Sequence, residues 1–319
     1  MNSVFRSPLA RELEQFVAYQ RTLGYSYGRS IHTLRSFDRY LVAHAPSKVR
    51  LPLEDLLRGW LARPNPRKPV SVAMDLATLR QFFRYRCRFA DGGFVPGREW
   101  APQTVCSNFV PHVFSYDQIR ALLEEAGRLR CDRRARPVIR LLILILYCTG
   151  LRFGEATRLT MKDVNLRNRV FHVRDSKGRT RWVPFRADLG RELQKYQRQR
   201  NRTGATSPEA PFLLRPDGHA LTVRGASGIV RGMLRRLGFK PTVGRRGPRP
   251  YDLRHAFAVH RLTAWHRAGV NVHNRLPWLS AYMGHQDILG TEVYLHATSE
   301  LLELASHRLR TQFYRAELP

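Results

Sequence analysis

Four side chains in this sequence combine into one kind of chemistry. Tyr294 stands in Thr291-Glu292-Val293-Tyr294-Leu295-His296, nine positions after the histidine of Met283-Gly284-His285. Two arginines precede them, each in a distinctive setting: Arg152 in Thr149-Gly150-Leu151-Arg152-Phe153-Gly154-Glu155 and Arg254 in Tyr251-Asp252-Leu253-Arg254-His255. A free phenol is only about one part in a thousand ionised at pH 7, so a tyrosine nucleophile starts roughly 4 kcal/mol behind. Two guanidiniums that fork onto phosphate oxygens can offset this, because each charge-assisted bond is worth roughly 1.5–3 kcal/mol. Arginine suits the task better than lysine because its planar fork matches a phosphate. A tyrosine, two arginines and a histidine are what metal-free attack on a DNA phosphodiester requires.

Lys177 adds a possible acid. Only six of the 55 basic residues are lysines, a bias that usually accompanies a GC-rich genome, so a lysine in the turn Asp175-Ser176-Lys177-Gly178-Arg179 stands out. An ammonium can release a proton to a leaving oxygen, whereas a guanidinium in a protein cannot. Glu155 lies one helical turn beyond Arg152, where it can orient the guanidinium. No metal is called for. His260, His266 and His273 lack the carboxylate-rich surroundings of a two-metal nuclease, and Cys87, Cys106, Cys131 and Cys148 form neither a zinc pattern nor a disulfide framework.

In order and spacing these motifs resemble the tyrosine recombinase (phage integrase) family, and the resemblance covers most of the chain. It implies that Arg152 and Arg254 bind the scissile phosphate, that His285 hydrogen-bonds to it, that Tyr294 attacks it, and that Lys177 protonates the 5′ oxygen from a β-hairpin. It further implies a 3′-phosphotyrosyl intermediate, no metal, cofactor or ATP, double-stranded DNA with specific recombination sites as partner, and a homo-tetramer on synapsed DNA. One position departs from the family. Tyr251 stands where members usually carry a histidine three residues before the second arginine. A phenol can donate a hydrogen bond to phosphate but does not shuttle protons near neutrality, and His255, on the same helical face, is placed to substitute in part. Two other readings stay open at this level: a type IB topoisomerase sharing the phosphotyrosine chemistry, and a DNA-binding regulator whose site has decayed.

The elements that must position these residues fall into two groups. Residues 9–91 show helical spacing in pieces: Leu9, Leu13, Phe16 and Val17; Ile31, Leu34, Phe37 and Leu41; Leu53, Leu56, Leu57, Trp60 and Leu61; Leu76, Leu79, Phe82 and Phe83. Gly24, Pro46 and Pro64-Asn65-Pro66 separate them into four or five helices. A Gly- and Pro-rich stretch follows, and Ser115-x-x-Gln118 looks like the capping box of a new helix. Beyond it, Val138–Cys148 reads as a buried helix, Val170–Val173 and Arg181–Pro184 as a β-hairpin, Asn201–Pro208 as a loop, and Lys240–Pro250 as a basic loop with Arg245, Arg246 and Arg249. Helical patterns return from Tyr251, ending with Leu301, Leu302, Leu304, Ala305, Leu309 and Phe313; in the family such a terminal helix docks on a neighbouring protomer. The expectation is mainly α with a small β-sheet in the second domain: a helical core-binding, DNA-binding domain over 1–105, a linker over 106–113, and an α+β catalytic domain over 114–319. The resemblance implies that the two domains form a C-shaped clamp on duplex DNA. One helical N-terminal domain leaves no room for an additional arm-binding domain, which favours a recombinase of Xer, plasmid or transposon type.

Charge agrees with a polyanionic partner. The 319 residues carry a net charge of +30, divided as +9 over residues 1–105 and +21 over the remainder. Binding by both halves should weaken steeply with salt through counterion release. Charge alone would suit an RNA-coating protein equally well; the motifs decide for DNA. The longest apolar run is far short of the roughly 20 residues of a membrane span, the N-terminus lacks an export signal, and the cysteine pattern suits a reducing compartment. Bacterial cytoplasm or nucleoid is the expected location.

Overall fold

The helical spacing of the N-terminal third becomes four helices in the computed structural model of the chain: α1 (Ala10–Thr22), α2 (Gly28–His44), α3 (Leu53–Leu61) and α4 (Pro69–Arg86). The structure describes residues 4–25, 27–44, 52–63, 67–89, 93–103, 111–129, 135–176, 179–201, 207–215, 217–244, 246–292 and 294–295, with 303, 306, 307 and 310. The chain divides into two compact units, Met1–Asn108 and Phe109–Pro319. Residues 106–110 of the expected linker lie outside the described residues, as do Lys177, residues 202–206 of the expected loop, Arg245, and all six apolar positions of the expected terminal helix.

In the first unit the apolar residues at three- and four-residue spacing turn inward together. Leu13 and Phe16, Leu34 and Phe37, Leu57 and Trp60, and Leu79, Phe82 and Phe83 form one core. Each such side chain contributes roughly 1.5–3 kcal/mol by leaving water. Phe16 meets Phe82, and Phe37 meets Trp60, edge to face, both with centroids 5.6 Å apart. Pro69 opens α4, where its fixed φ suits the helix and its missing N–H is not needed. The buried carboxylate of Asp38 in α2 accepts the backbone N–H groups of Arg6 and Ser7 at 2.9–3.1 Å, which ties the segment ahead of α1 to the core.

The second unit is mainly helical around a small sheet. The capping box forms: Ser115 Oγ accepts from the Gln118 amide at 3.2 Å and Gln118 Oε1 from the Ser115 amide at 3.0 Å, starting α5 (Tyr116–Gly127). The next helix, α6 (Ala135–Thr149), is apolar on nearly every side and therefore central. It packs against α5, α8 (Ala187–Asn201) and α10 (Asp252–Arg267). Between α7 (Phe153–Arg158) and α8 lie three antiparallel strands in the order β1 (Val164–Asn165), β2 (Val170–Ser176) and β3 (Arg179–Pro184). The hairpin of β2 and β3 is the one the alternation predicts; β1 is too short to alternate and was not expected. Phe171 pairs with Val183 and His172 with Trp182. Phe171, Val173 and Val183 are buried, while His172 and Trp182 stack at 4.2 Å. After α9 (Val223–Arg236) the described residues of the basic loop lack regular secondary structure. Then α10, α11 (Val272–Met283) and the short α12 (Leu289–Glu292) gather Phe257, Leu262, Val272, Leu276, Leu279, Met283 and Tyr294 into a second cluster. No helix among the described residues is long and apolar enough to cross a membrane.

Candidate active site

The turn after α6 sets the first arginine. Thr149 Oγ1 donates back to Ile145 O at 2.6 Å, and Gly150 adopts φ +61°, open to a glycine at little cost. A Cβ there would lie 2.4 Å from the Phe257 ring, so α6 ends in close contact with α10 only because the residue is glycine. The chain then turns directly into α7 with Arg152 at its start. Glu155, in the first turn of α7, accepts the Arg152 backbone N–H at 2.8 Å and the Nη1 of the same residue at 2.8 Å. The Arg152 side chain also donates from Nη1 to Ser176 Oγ at 3.2 Å and from Nη2 to Gly284 O at 2.6 Å.

Arg254 lies in the first turn of α10 and is 1% exposed. Its Nη1 donates to Gly150 O at 2.5 Å and its Nη2 to Met283 O at 2.8 Å, so it binds the two turns that flank the site. Its Nε is buried without a hydrogen-bond partner among the described residues. Burial pulls its pKa below the ordinary arginine value, and Arg152 nearby pulls in the same direction. A guanidinium nonetheless stays charged. Here a buried cation with a spare donor meets a second cation, an arrangement that favours an incoming anion.

His285 leaves α11 through Gly284, a left-handed cap at φ +71°. Its Nε2 lies 2.9 Å from Arg254 Nη2, which can only donate, so in the neutral ring Nδ1 carries the proton and donates to Thr291 Oγ1 at 2.7 Å. Burial, then Arg254 and Arg152, pushes its pKa down to about 4. Tyr294, 3% exposed, has its ring centroid 6.2 Å from His285 and 5.3 Å from His255. Burial raises the Tyr294 pKa to about 12, although the Arg254 guanidinium opposes the rise.

Tyr251 immediately precedes α10 and is 41% exposed, its ring edge against His255 at 5.1 Å. His255 is held to about 4, chiefly by burial, and its Nδ1 has no hydrogen-bond partner among the described residues. Thus Arg152, Arg254, His285, Tyr294 and Tyr251 come together, with His255 between the two tyrosines. Lys177 lies outside the described residues. Its hairpin nevertheless reaches the cluster on both sides, since Ser176 donates to Glu155 and Arg179 Nη1 donates to His285 O at 2.9 Å. Three further participants did not stand out in the sequence: Ser176, Thr291 and Arg181, which joins Glu155 through two bonds of 2.8 and 3.1 Å. Among the described residues no group of His, Cys, Asp and Glu could hold a metal ion.

Comparison with known proteins extends this geometry. The family model described as Phage integrase family matches residues 112–300. A Sinorhizobium fredii protein named as an integrase/recombinase, y4rE, is 30% identical, over 96% of this chain and 97% of its own. The tyrosine recombinase XerC of Pelobacter propionicus is 26% identical over 91% of this chain and 93% of its own. Among solved structures, the Tn1549 transposon integrase in complex with circular intermediate DNA superposes with a TM-score of 0.64 at 19% identity, covering 93% of this chain and 99% of that one, a likeness of fold.

Proposed function

The chain belongs to the phage integrase family, a site-specific recombinase of the tyrosine type, and from that premise we propose that Tyr294 is its nucleophile. The observation that carries this reading is the convergence of Arg152, Arg254 and His285 on one buried tyrosine, with two guanidiniums beside it and, among the described residues, only one carboxylate, Glu155, bonded to either. A phosphodiester supplies the missing negative charge. Tyr294 ionises and its phenolate Oη attacks phosphorus as the P–O5′ bond breaks; with a proton taken up by O5′, this leaves a 3′-phosphotyrosyl link and a free 5′-hydroxyl. The 5′-hydroxyl of an incoming strand reverses the step, so bond energy is conserved and no ATP is consumed.

A phenol held at about 12 is ionised to only about one part in 100,000 at pH 7, a deficit of roughly 7 kcal/mol. Arg152 and Arg254 offset much of it by stabilising charge on the phosphorane-like transition state. Lys177 protonates the departing 5′ oxygen, and Tyr251 donates a hydrogen bond to the phosphate in place of the usual histidine. His285 donates to a non-bridging oxygen, which asks for a proton on Nε2 where it now accepts from Arg254. The arriving phosphate brings the negative charge that favours this change.

We read residues 1–105 as the core-binding domain and 114–319 as the catalytic domain, acting together on double-stranded DNA as a homo-tetramer on synapsed sites. A net charge of +9 on the first part and +21 on the rest supports this. Xer, plasmid or transposon recombination in bacterial cytoplasm is the setting we favour. The test is a nicked duplex carrying the recombination site, sought in the DNA that flanks the gene. The parent should accumulate a covalent protein–DNA adduct on it, and Tyr294→Phe should bind with near-normal affinity yet form none. An adduct in the Phe variant assigns the nucleophile elsewhere.

A further inference from the structure

Arg181 belongs to no motif, yet it touches three parts of the site at once. It lies on β3, with Nη1 and Nη2 donating to Glu155 Oε1 and Oε2 at 3.1 and 2.8 Å. Its Nε donates to Tyr282 O at 2.9 Å. Its guanidinium lies so close to Gly284 that a Cβ on that residue would sit 2.6–2.9 Å from Nη1, Cζ and Nε. Glu155 is buried and shared: Oε1 takes Arg152 Nη1, Arg181 and Ser176, while Oε2 takes the Arg152 amide and Arg181. Gly284 in turn gives its carbonyl to Arg152 Nη2.

We propose that Arg181 is a positioning residue for strand cleavage, fixing the Glu155 carboxylate, and through it the Arg152 guanidinium, while bracing the turn that presents His285. The inference rests on the reading of Arg152 as a phosphate ligand. Arg181 grips both carboxylate oxygens from β3 and so holds Glu155 in an orientation that makes no two-pronged pair with Arg152. The Arg152 guanidinium therefore meets Glu155 through Nη1 alone, while the backbone N–H of the same residue donates to Oε2 and Nε makes no bond to the described residues. Without Arg181 the carboxylate is free to rotate onto Arg152 and take up that fork, and the hairpin loses its bond to Tyr282 O, keeping Arg179 on His285 O and Pro184 O on the Tyr282 hydroxyl. Charge reinforces the arrangement. Burial would raise the Glu155 pKa, but hydrogen bonds from Arg181 and Ser176 bring it down to about 2, so the carboxylate stays ionised throughout.

The experiment is single-turnover cleavage of the nicked site at saturating protein, for Arg181→Ala and Arg181→Lys, each in the parent and in an Arg152→Lys background. We expect Arg181→Ala to slow cleavage about 100-fold in the parent, the scale of a misplacement near 1 Å. Arg181→Lys, which keeps the charge and one bond, should recover part of that, with DNA affinity unchanged in both. In the Arg152→Lys background, where the fork is already gone, Arg181→Ala should slow cleavage less than about 5-fold further. Equal losses in the two backgrounds, or no loss in the parent, overturn the assignment while leaving the recombinase site intact. A parent that forms no Tyr294-dependent adduct overturns the site reading and this inference with it. Should Arg181→Ala fail to fold, Arg181→Lys carries the same comparison.

Discussion

His285 accepts a hydrogen bond from Arg254 through Nε2 at 2.9 Å and turns its Nδ1 to Thr291 Oγ1 at 2.7 Å. A protonated ring could not accept from the guanidinium, so the contact holds the imidazole neutral. This is one of two histidines beside Tyr294 whose folded pKa lies near 4.

The consequence is acid sensitivity in the absence of DNA. A histidine protonates near 6.5 when unfolded, whereas His255 and His285 resist protonation until about 4 in the fold. Their contribution to stability is present above pH 6.5 and is lost as pH falls towards 4, because the unfolded chain then binds more protons. Each is worth on the order of 1–2 kcal/mol after solvent screening. Glu155, held at about 2 in the fold, adds to the loss only at the foot of this window, where the unfolded carboxylate begins to bind a proton. Thermal unfolding between pH 7.5 and 4.5 should show Tm falling below pH 6.5, and His255→Phe should flatten part of that fall. A parent whose Tm is level down to pH 4.5 contradicts the neutral-histidine account.

Gly284→Ala tests the turn before His285. The residue holds φ +71°, where an L side chain costs roughly 1–2 kcal/mol. The added methyl would also press on Arg181, whose guanidinium is pinned by three bonds to Glu155 and Tyr282 O and has little freedom to withdraw. We expect a stability loss of at least about 1–2 kcal/mol by urea unfolding, with cleavage slowed further than DNA binding is weakened. An Ala variant that cleaves at the parental rate would show that the turn can relax without disturbing His285.

Lys177 can be separated from the arginines by changing the leaving group. On an ordinary phosphodiester Lys177→Ala should be slow, since the 5′ oxygen departs poorly without a proton. On a 5′-bridging phosphorothiolate, whose thiolate needs no acid, the same variant should be largely rescued. Equal impairment on both substrates assigns Lys177 another task.

Much of this arrangement was legible because motif residues carry their own context. Arg152 and Glu155 are three apart at the start of a helix, and the Thr149-Gly150 turn announces that start. The hairpin followed from alternation, and the capping box from Ser115 and Gln118. Arg181 was hidden among 49 arginines, although period-two alternation offered a signal: it sits two residues before Val183, on the side of β3 that turns inward. An arginine on the core side of a strand, its side chain 10% exposed, asks for a buried acid, and Glu155 is that acid. Thr291 could not be found this way. Its bond to His285 depends on how α12 folds back over the end of α11, a tertiary relation with no local pattern.

Tyr251 is where this chain leaves its family's pattern, and its position now sharpens the test. The ring is 41% exposed, packs by its edge on His255, and lies near enough to both Arg254 and Tyr294 to influence their ionisation. If its hydroxyl donates to the scissile phosphate, Tyr251→Phe removes one charge-assisted bond of roughly 1.5–3 kcal/mol, slowing cleavage about 10- to 150-fold. Tyr251→His should retain activity. Partly exposed, that imidazole should titrate near its ordinary value of about 6.5 and so introduce a step in the rate between pH 6 and 7 that the parent lacks. His255 does not produce such a step, because burial keeps its own titration near 4. Single-turnover cleavage by the parent, the Phe variant and the His variant from pH 5.5 to 9 measures both effects. A Phe variant as fast as the parent shows that the phenol only covers His255, and that the phosphate is served by the arginines and His285 alone.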